Sequence, residues 1–199
     1  MEPRRSICDQ FYAESSDPWG FRTRWYERRK REIVIASLTR QRFESCWELG
    51  CSVGELTAAL AERCDRVFAT DGNARAVDEA RTRVREFPQV TVEQQIHPDE
   101  WPVGHFDLIV FSELGYNFDE APLRAMSSRL RQTLLPNGTF VACHWRYAIE
   151  GCALAGDDVH RILTEVLALP RLVQHVEADF VLEIWSADAR SVAAQEEML

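Results

Sequence analysis

The sequence predicts an α/β fold, with a mostly parallel sheet covered by helices on both faces and closed by an antiparallel hairpin. Short apolar runs alternate with helix-like segments from Ser45 onward, the pattern of parallel crossover units. Two of the runs, FDLIVFS and TFVACHW, are apolar almost throughout, as strands buried on both faces must be. The last two β-rich runs, Leu172–Glu177 and Phe180–Ser186, have only Ala178 and Asp179 between them. So short a link allows an antiparallel pair but no helical crossover.

In chain order, the stretch to about Gly20 is polar, is punctuated by Asp17-Pro18-Trp19-Gly20, and reads as loop. Phe21–Leu38 is rich in helix formers, with an apolar patch at Ile33, Val34, Ile35 and Leu38. Its basic run, Arg28-Arg29-Lys30-Arg31, reads as a solvated helix face rather than an anion site, because Glu27 and Glu32 lie at pairing distance along the helix. Strands are expected at Ser45–Leu49, Arg66–Thr70, Val90–Gln94, Phe106–Ser112 and Thr139–Trp145, and helices at Gly54–Cys64, Asn73–Phe87 and Asp119–Leu134. Leu135-Pro136-Asn137-Gly138 is a strong turn signal before the fifth strand. Val159–Leu169 reads as a helix closed by Pro170, and Asp188–Leu199 as a frayed tail.

A chain of 199 residues, 46% of them apolar, suits a single compact domain. It divides into an N-terminal loop and lid helix (1–42), the catalytic-type domain (43–187) and a C-terminal tail (188–199). The opening MEPRRSICDQFYAESS has no apolar stretch after its arginines, so no signal peptide is expected. No uncharged apolar run approaches the roughly 20 residues that span a bilayer. A cytoplasmic protein without membrane partners is expected. Six cysteines (Cys8, Cys46, Cys51, Cys64, Cys143 and Cys152) form no CxxC pair; they read as reduced and buried, with neither zinc nor disulfides. The formal charge of −9 argues against a nucleic-acid backbone as partner and suits a neutral or cationic small molecule. Nothing in the sequence sets the oligomeric state.

The strongest single feature is Cys46-Trp47-Glu48-Leu49-Gly50-Cys51-Ser52-Val53-Gly54, a strand running into a glycine turn and then a helix. Ligands of open α/β sheets gather at such strand ends. Gly50 would let the backbone approach a ligand, and Gly54 would let the helix pack against the strand. The second strand leads to Asp71, an acid able to accept both hydroxyls of a ribose. Dinucleotide sites use nearly the same device. Against a nicotinamide cofactor stand the G-x-x-x-G spacing, which lacks the third glycine, the missing second domain, and Glu48, which would repel phosphates but suits an ammonium or a sulfonium.

With WELGCSVG, VFATDGN, FDLIVFSELGY and LLPNGTFVACHW in place, the chain from about Phe43 to Ser186 resembles the class I S-adenosylmethionine-dependent methyltransferases. The resemblance implies a Rossmann-like class I methyltransferase fold, a seven-stranded mostly parallel sheet with an antiparallel terminal hairpin, and S-adenosyl-L-methionine as cofactor. Within the class, Asp17-Pro18-Trp19 before a charged helix, the ExGC turn and Gly156-Asp157 are similar to the nodulation protein S group. Members of that group N-methylate the free amino group of a de-N-acetylated chito-oligosaccharide, so an amino sugar or related amine is the implied acceptor. The resemblance places Gly50, Cys51 and Gly54 along the methionine part, Glu48 near its amino group, Asp71 on the ribose and Gly72 beside the adenine. Many relatives follow the third strand with an Asp that reads adenine; here Gln94-Gln95-Ile96-His97 stands instead, leaving Gln95 or the backbone of Ile96. Ser112 would lie under the sulfonium.

For catalysis, Glu113 ends an apolar strand at the ligand edge, where a carboxylate could hold an ammonium and take its proton; the competing reading is that it caps a turn or pairs with an arginine. His144, at the matching end of the fifth strand, is the second candidate base. Trp19, Tyr26, Tyr116 and Trp145, with Arg146, could form an aromatic and basic wall for the substrate, or could be core. Asp157, Asp158 and His160 have metal-ligand chemistry but sit at a helix start, where capping accounts for them; no metal is expected. The rival functions are O-methylation of a small metabolite and a catalytically silent cofactor-binding partner protein.

Overall fold

In the computed structural model, which describes residues 9–198, seven strands form one sheet in the order β3-β2-β1-β4-β5-β7-β6. The elements are α1 (residues 9–14), α2 (Trp25–Ser37), β1 (Cys46–Leu49), α3 (Glu55–Ala61), β2 (Val67–Asp71), α4 (Ala74–Arg83), β3 (Val90–Gln94), β4 (Phe106–Ser112), a 3-10 turn (Gly115–Asn117), α5 (Glu120–Thr133), β5 (Leu134–Trp145), α6 (Gly156–Leu167), β6 (Arg171–Val176), β7 (Phe180–Ser186) and α7 (Val192–Gln195). The first five strands run parallel; β7 pairs antiparallel with both β5 and β6. This is the Rossmann-like methyltransferase arrangement. Strand order runs outward from β1 in both directions, so the carboxyl ends of β1 and β4 flank the crevice where such sheets bind ligands.

Alternation along the central strands builds two apolar layers. In β4, Ile109 and Phe111 face α5 and α6 with Trp47, Phe140 and Trp185, while Leu108 and Val110 face the other side with Cys46, Val141, Leu60 and Val34 of α2. In α6, Val159, Ile162, Leu163 and Leu167 are buried, one stripe at helical spacing. The Asn73 side chain caps α4 by accepting the Ala76 N–H at 3.0 Å.

The structure departs from the expected elements in four places. The stretch before Gly20 is not all loop: it contains α1, held by the buried Tyr12, whose ring meets Trp19 at 5.1 Å. The turn signal at Leu135–Gly138 does not precede β5 but lies inside it. Leu134 pairs with Phe106 and Thr139 with Leu108, so the intervening Pro-Asn-Gly residues are extruded as an irregularity, a place where a strand tolerates proline. α3 and α4 stop at Ala61 and Arg83, short of Cys64 and Phe87. The tail carries α7, which the Ser191 hydroxyl caps by accepting the Ala194 N–H.

Cys46, Cys51, Cys64 and Cys143 are buried and free, and Cys152 is half-buried; Cys8 lies outside the described residues. Among the described residues no helix is long and apolar enough to cross a membrane.

Candidate functional site

The site begins at the turn after β1. Gly50 and Gly54 have φ of 74° and 81°, and Ser52 has φ of 50°, so the backbone folds tightly through the left-handed region. The amides of Gly50 and Cys51 both donate to the Thr70 carbonyl, at 2.8 and 3.0 Å, which fixes the elbow against β2. A Cβ on Gly54 would stand 2.9 Å from Ala80 Cα. The glycine therefore lets α3 lie against α4, rather than against the strand as the sequence suggested.

Asp71 locks the same elbow from β2. Its carboxylate accepts the Ser52 N–H and the Asn73 N–H, each at 2.9 Å. Burial pushes this carboxyl up, and those amides pull against the shift. A carboxylate has about four acceptor positions, so these amides do not exhaust it. Gly72 follows at the edge of a cavity shared with Asn73, Gln94, Tyr12 and Ala13, so α1 covers the tips of β2 and β3. Gln95 donates its amide to the Asp71 carbonyl at 3.0 Å, while its side-chain Oε1 is buried without a partner among the described residues. The Ile96 amide, the other expected adenine contact, is already spent on the Glu100 carboxylate at 2.7 Å.

A second cavity lies over the ends of β1 and β4. Its floor is Glu48, Gly50, Cys51, Ser52, Ser112 and Glu113, and α2 roofs it with Glu27, Lys30 and Arg31. Glu48 is buried, accepts the Thr57 hydroxyl at 2.6 Å, and is pushed up to about 8 by burial. Ser112 donates its hydroxyl to the Cys143 carbonyl at 3.2 Å.

Glu113 is at the predicted place, with φ of 55°, but its lone pairs are heavily used. Oε1 accepts Lys30 Nζ at 2.7 Å; Oε2 accepts the Tyr116 hydroxyl and, at 3.0 Å, the Trp145 amide. The competing reading of an ion pair holds in kind, with lysine in place of arginine.

His144 does not face the cavity, which corrects the expectation that it serves as a second base. It is 0% exposed, and both ring nitrogens are engaged. Nε2 accepts the Gly115 amide at 3.0 Å, and Nδ1 lies 3.1 Å from His160 Nε2. His160 Nδ1 lies 2.8 Å from Glu183 Oε2. Burial, with His160 and Lys30 nearby, drives the His144 pKa well below the usual histidine range. A buried neutral imidazole in a hydrogen-bond chain supports the loop after β4 rather than accepting a substrate proton.

The expected aromatic wall divides into two groups. Tyr26 and Trp145 meet edge to face at 5.6 Å, and Tyr147 joins them 5.1 Å from Trp145. Tyr116 is buried beside Glu113. Trp19 belongs instead to a cluster with Phe11, Tyr12 and Phe21. Arg146 is not free to bind a ligand: it forks onto Asp157 with two bonds of 2.9 Å and donates to the Glu177 carbonyl. Asp158 accepts the Ala155 amide as a cap.

The basic run of α2 is also corrected. Successive helix residues point about 100° apart, and three of them tie α2 to three other parts of the fold. Arg29 forks onto Glu177 in the β6–β7 turn at 2.7 Å, Lys30 reaches Glu113, and Arg31 donates to the Phe21 carbonyl at 3.2 Å. Lys30 is 6% exposed, not solvated. Glu27, 3.0 Å from Lys30 Nζ, is a cavity residue that the motifs missed. The available signal was spacing: Lys30 lies one turn before the buried Val34, on the apolar stripe.

A sequence profile of nodulation protein S (NodS) matches residues 10–169. Nodulation protein S of Rhizobium tropici is 30% identical over 162 residues, which cover 77% of this chain and 66% of that protein. The chain thus spans just under two thirds of the length of that curated relative, and 60% of the one from Sinorhizobium fredii. Among solved structures, the N-methyltransferase NodS of Bradyrhizobium japonicum WM9, in complex with S-adenosyl-L-homocysteine, superposes with a TM-score of 0.78 at 26% identity, covering 86% of this chain and 92% of that one. A Pseudomonas syringae protein with a provisional methyltransferase assignment is 45% identical, with a TM-score of 0.74 over 82% of this chain and 99% of that one. With its profile match running from α1 through α6, the chain belongs to the nodulation protein S family.

Proposed function

We propose that the protein is an S-adenosyl-L-methionine-dependent methyltransferase that methylates the nitrogen of a small polar amine, with an amino sugar as the favoured acceptor. The observation that carries this reading is the pair of acids at adjacent strand ends: Glu48 under the elbow and Asp71 beyond it, on either side of a tight backbone turn that Gly50 allows. That donor set suits a zwitterionic nucleoside with a cationic centre and repels a pyrophosphate. Gln95 Oε1, without a partner among the described residues, is an acceptor of the type an adenine amino group requires. Family membership and the relative crystallised with S-adenosyl-L-homocysteine support the same cofactor.

In this reading Glu48 and the elbow at Gly50, Cys51 and Gly54 border the amino-acid end, Asp71 takes the ribose, Gly72 and Gln95 border the adenine, and Ser112 lies below the methyl-bearing centre. The cofactor supplies an activated methyl group on sulfur. The chain's contribution is to position the acceptor in line with it and to provide a site for the acceptor's proton. Glu27, Glu55 and Glu113 outnumber Lys30 and Arg31 around the cavity, and Glu48 adds a fourth acid, which favours a cationic acceptor. Tyr26 and Trp145 would flank it, and Glu113 would anchor the roof above it. The acceptor is a small molecule, neither nucleic acid nor membrane, and the protein works in the cytoplasm.

Calorimetry with S-adenosyl-L-homocysteine, followed by methyl-transfer assays on glucosamine oligosaccharides and on hydroxyl acceptors of similar size, tests the proposal. Micromolar binding and transfer to the amine are expected. Transfer to hydroxyls alone overturns the acceptor class, and absence of nucleoside binding overturns the whole reading.

A further inference from the structure

We infer that Glu27 of the lid helix is the catalytic base that receives the acceptor's proton, and that Glu113 is the anchor that holds this helix over the site; the inference rests on the methyl-transfer reading above. Two carboxylates border the cavity beside Lys30, and they differ in what they have left to offer. Glu113 is bonded at both oxygens, to Lys30, Tyr116 and Trp145. Glu27 contacts Lys30 through Oε2 at 3.0 Å, and among the described residues its Oε1 has no protein partner. A base needs a lone pair within hydrogen-bond reach of the proton it removes. Glu27, which lines the cavity, has one oxygen with no bond among the described residues, whereas each oxygen of Glu113 already accepts at least one.

The surroundings fit the task. The Glu27 side chain is 11% exposed. Burial pushes its carboxyl up, Lys30 and Arg24 of its own helix draw it down, Glu113 at the end of β4 pushes it up again, and the net direction is upward. Proton affinity is thus raised toward the range where a base works near neutral pH. Lys30 contributes in a second way. Its ammonium stands 5.0 Å over the Tyr26 ring and 2.7 Å from Glu113, and the same two opposing forces, burial and the nearby carboxylates, act on it with a net upward shift. It stays charged and disfavours a second cation beside it, so an incoming ammonium is pressed to release its proton.

The step balances as follows. One N–H bond of the acceptor ammonium breaks and its proton passes to Glu27 Oε1. The freed lone pair forms the new N–C bond as the C–S bond breaks, its electron pair remaining on sulfur. The products are a methylated ammonium and S-adenosyl-L-homocysteine, and Glu27 returns its proton to solvent when they leave.

Glu27→Gln and Glu113→Gln in the full chain test the assignment. Glu27→Gln is expected to bind S-adenosyl-L-homocysteine within about twofold of wild type, to lose about 100-fold in kcat on glucosamine oligosaccharides near pH 7, and to recover much of that above the acceptor's own pKa. Glu113→Gln is expected to raise KM and lower thermal stability while keeping the base limb of the kcat profile, moved toward acid because Glu113 no longer pushes the Glu27 carboxyl up. A carboxyl NMR titration of the unliganded protein reads Glu27 without activity, and a midpoint above the ordinary glutamate value is expected. A Glu27→Gln variant with the wild-type profile, or a Glu27 midpoint at or below the ordinary value, overturns the assignment alone; a wild-type chain that binds no S-adenosyl-L-homocysteine overturns the underlying reading.

Discussion

Lys30 Nζ lies 2.7 Å from Glu113 Oε1, joining the middle of the lid helix to the tip of a central strand. The contact is buried, and Glu27 shares it at 3.0 Å. One cation therefore neutralises two carboxylates brought together from different parts of the chain.

Replacing Lys30 with methionine keeps the packing volume near Val34 but leaves both acids unpaired. A loss of about 3–5 kcal/mol near pH 8 is expected. Without the cation Glu27 loses the charge that draws its carboxyl down, and it holds its proton more tightly when folded than when unfolded. The variant's stability therefore falls as pH rises from about 4 through its folded values, and the deficit narrows in acid. Urea denaturation at pH 5 and pH 8 reads this directly. Arg29→Ala, at a pair whose arginine side chain is 41% exposed, is expected to change stability little, because solvent screens the pair.

Glu48 titrates at about 8 because it is buried, well above the ordinary glutamate value, so the folded chain holds a proton that the unfolded chain has lost. Between about pH 4.5 and 8 this makes the protein progressively less stable as pH rises. Glu48→Gln removes that dependence and is expected to gain on wild type as pH rises from about 4.5 to 8, and to keep that gain above pH 8. An ammonium bound beside Glu48 would lower its pKa again. Binding of S-adenosyl-L-homocysteine at pH 7 should then release a proton from wild type and not from Glu48→Gln, as calorimetry in two buffers of different ionisation enthalpy would report.

Most of the sheet was legible because its signals are local. Apolar runs marked Val90–Gln94, Phe106–Ser112 and Phe180–Ser186 to the residue, and the short link before Phe180 dictated an antiparallel partner. The elbow was legible for the same reason, since Gly50 and Gly54 declare a left-handed backbone whatever lies around them. What pairs with what across the fold was not. His144 has the same neighbours in sequence whether it faces the cavity or His160, and only the packing of α6 against β5 and β7 decides. The basic run was misread because pairing along the helix is visible in sequence, while the carboxylates of Glu113 and Glu177 are distant in it. Pro136 was read as ending an element when the strand absorbs it as a bulge.

Gly54→Ala tests the elbow. The residue has φ of 81°, and a Cβ would stand 2.9 Å from Ala80 Cα, which is backbone and cannot swing aside. Left-handed strain of about 1–2 kcal/mol and the separation of α3 from α4 act together, so a loss of about 3 kcal/mol is expected. Because the same turn positions the Cys51 and Ser52 amides, affinity for S-adenosyl-L-homocysteine should fall by about tenfold or more. An unchanged thermal midpoint would mean that the two helices part without cost.

The buried chain from Gly115 to Glu183 makes a prediction of opposite pH sign. The Gly115 amide donates to His144 Nε2, so a neutral His144 carries its proton on Nδ1 and donates it to His160 Nε2. His160 is then left to donate from Nδ1 to Glu183, whose other oxygen accepts Gln174 at 2.9 Å and Arg171. Each proton has one place to go. A proton added to His144 would have to displace the Gly115 amide. The folded pKa of His144 is depressed, so the unfolded chain binds a proton that the folded one refuses. The stability from this residue is complete above about pH 6.5 and is lost as pH falls below it toward the folded value. His144→Leu strands the Gly115 N–H and His160 Nε2 and should cost about 2–4 kcal/mol at pH 8. The same variant should lack the acid-side loss below pH 6.5, so its curve converges on wild type as pH falls. Because Gly115 follows Glu113 by two residues, loosening it should also raise KM for the amine acceptor more than it lowers kcat. A kcat loss with KM intact would instead give His144 a direct part in the chemistry, against its complete burial.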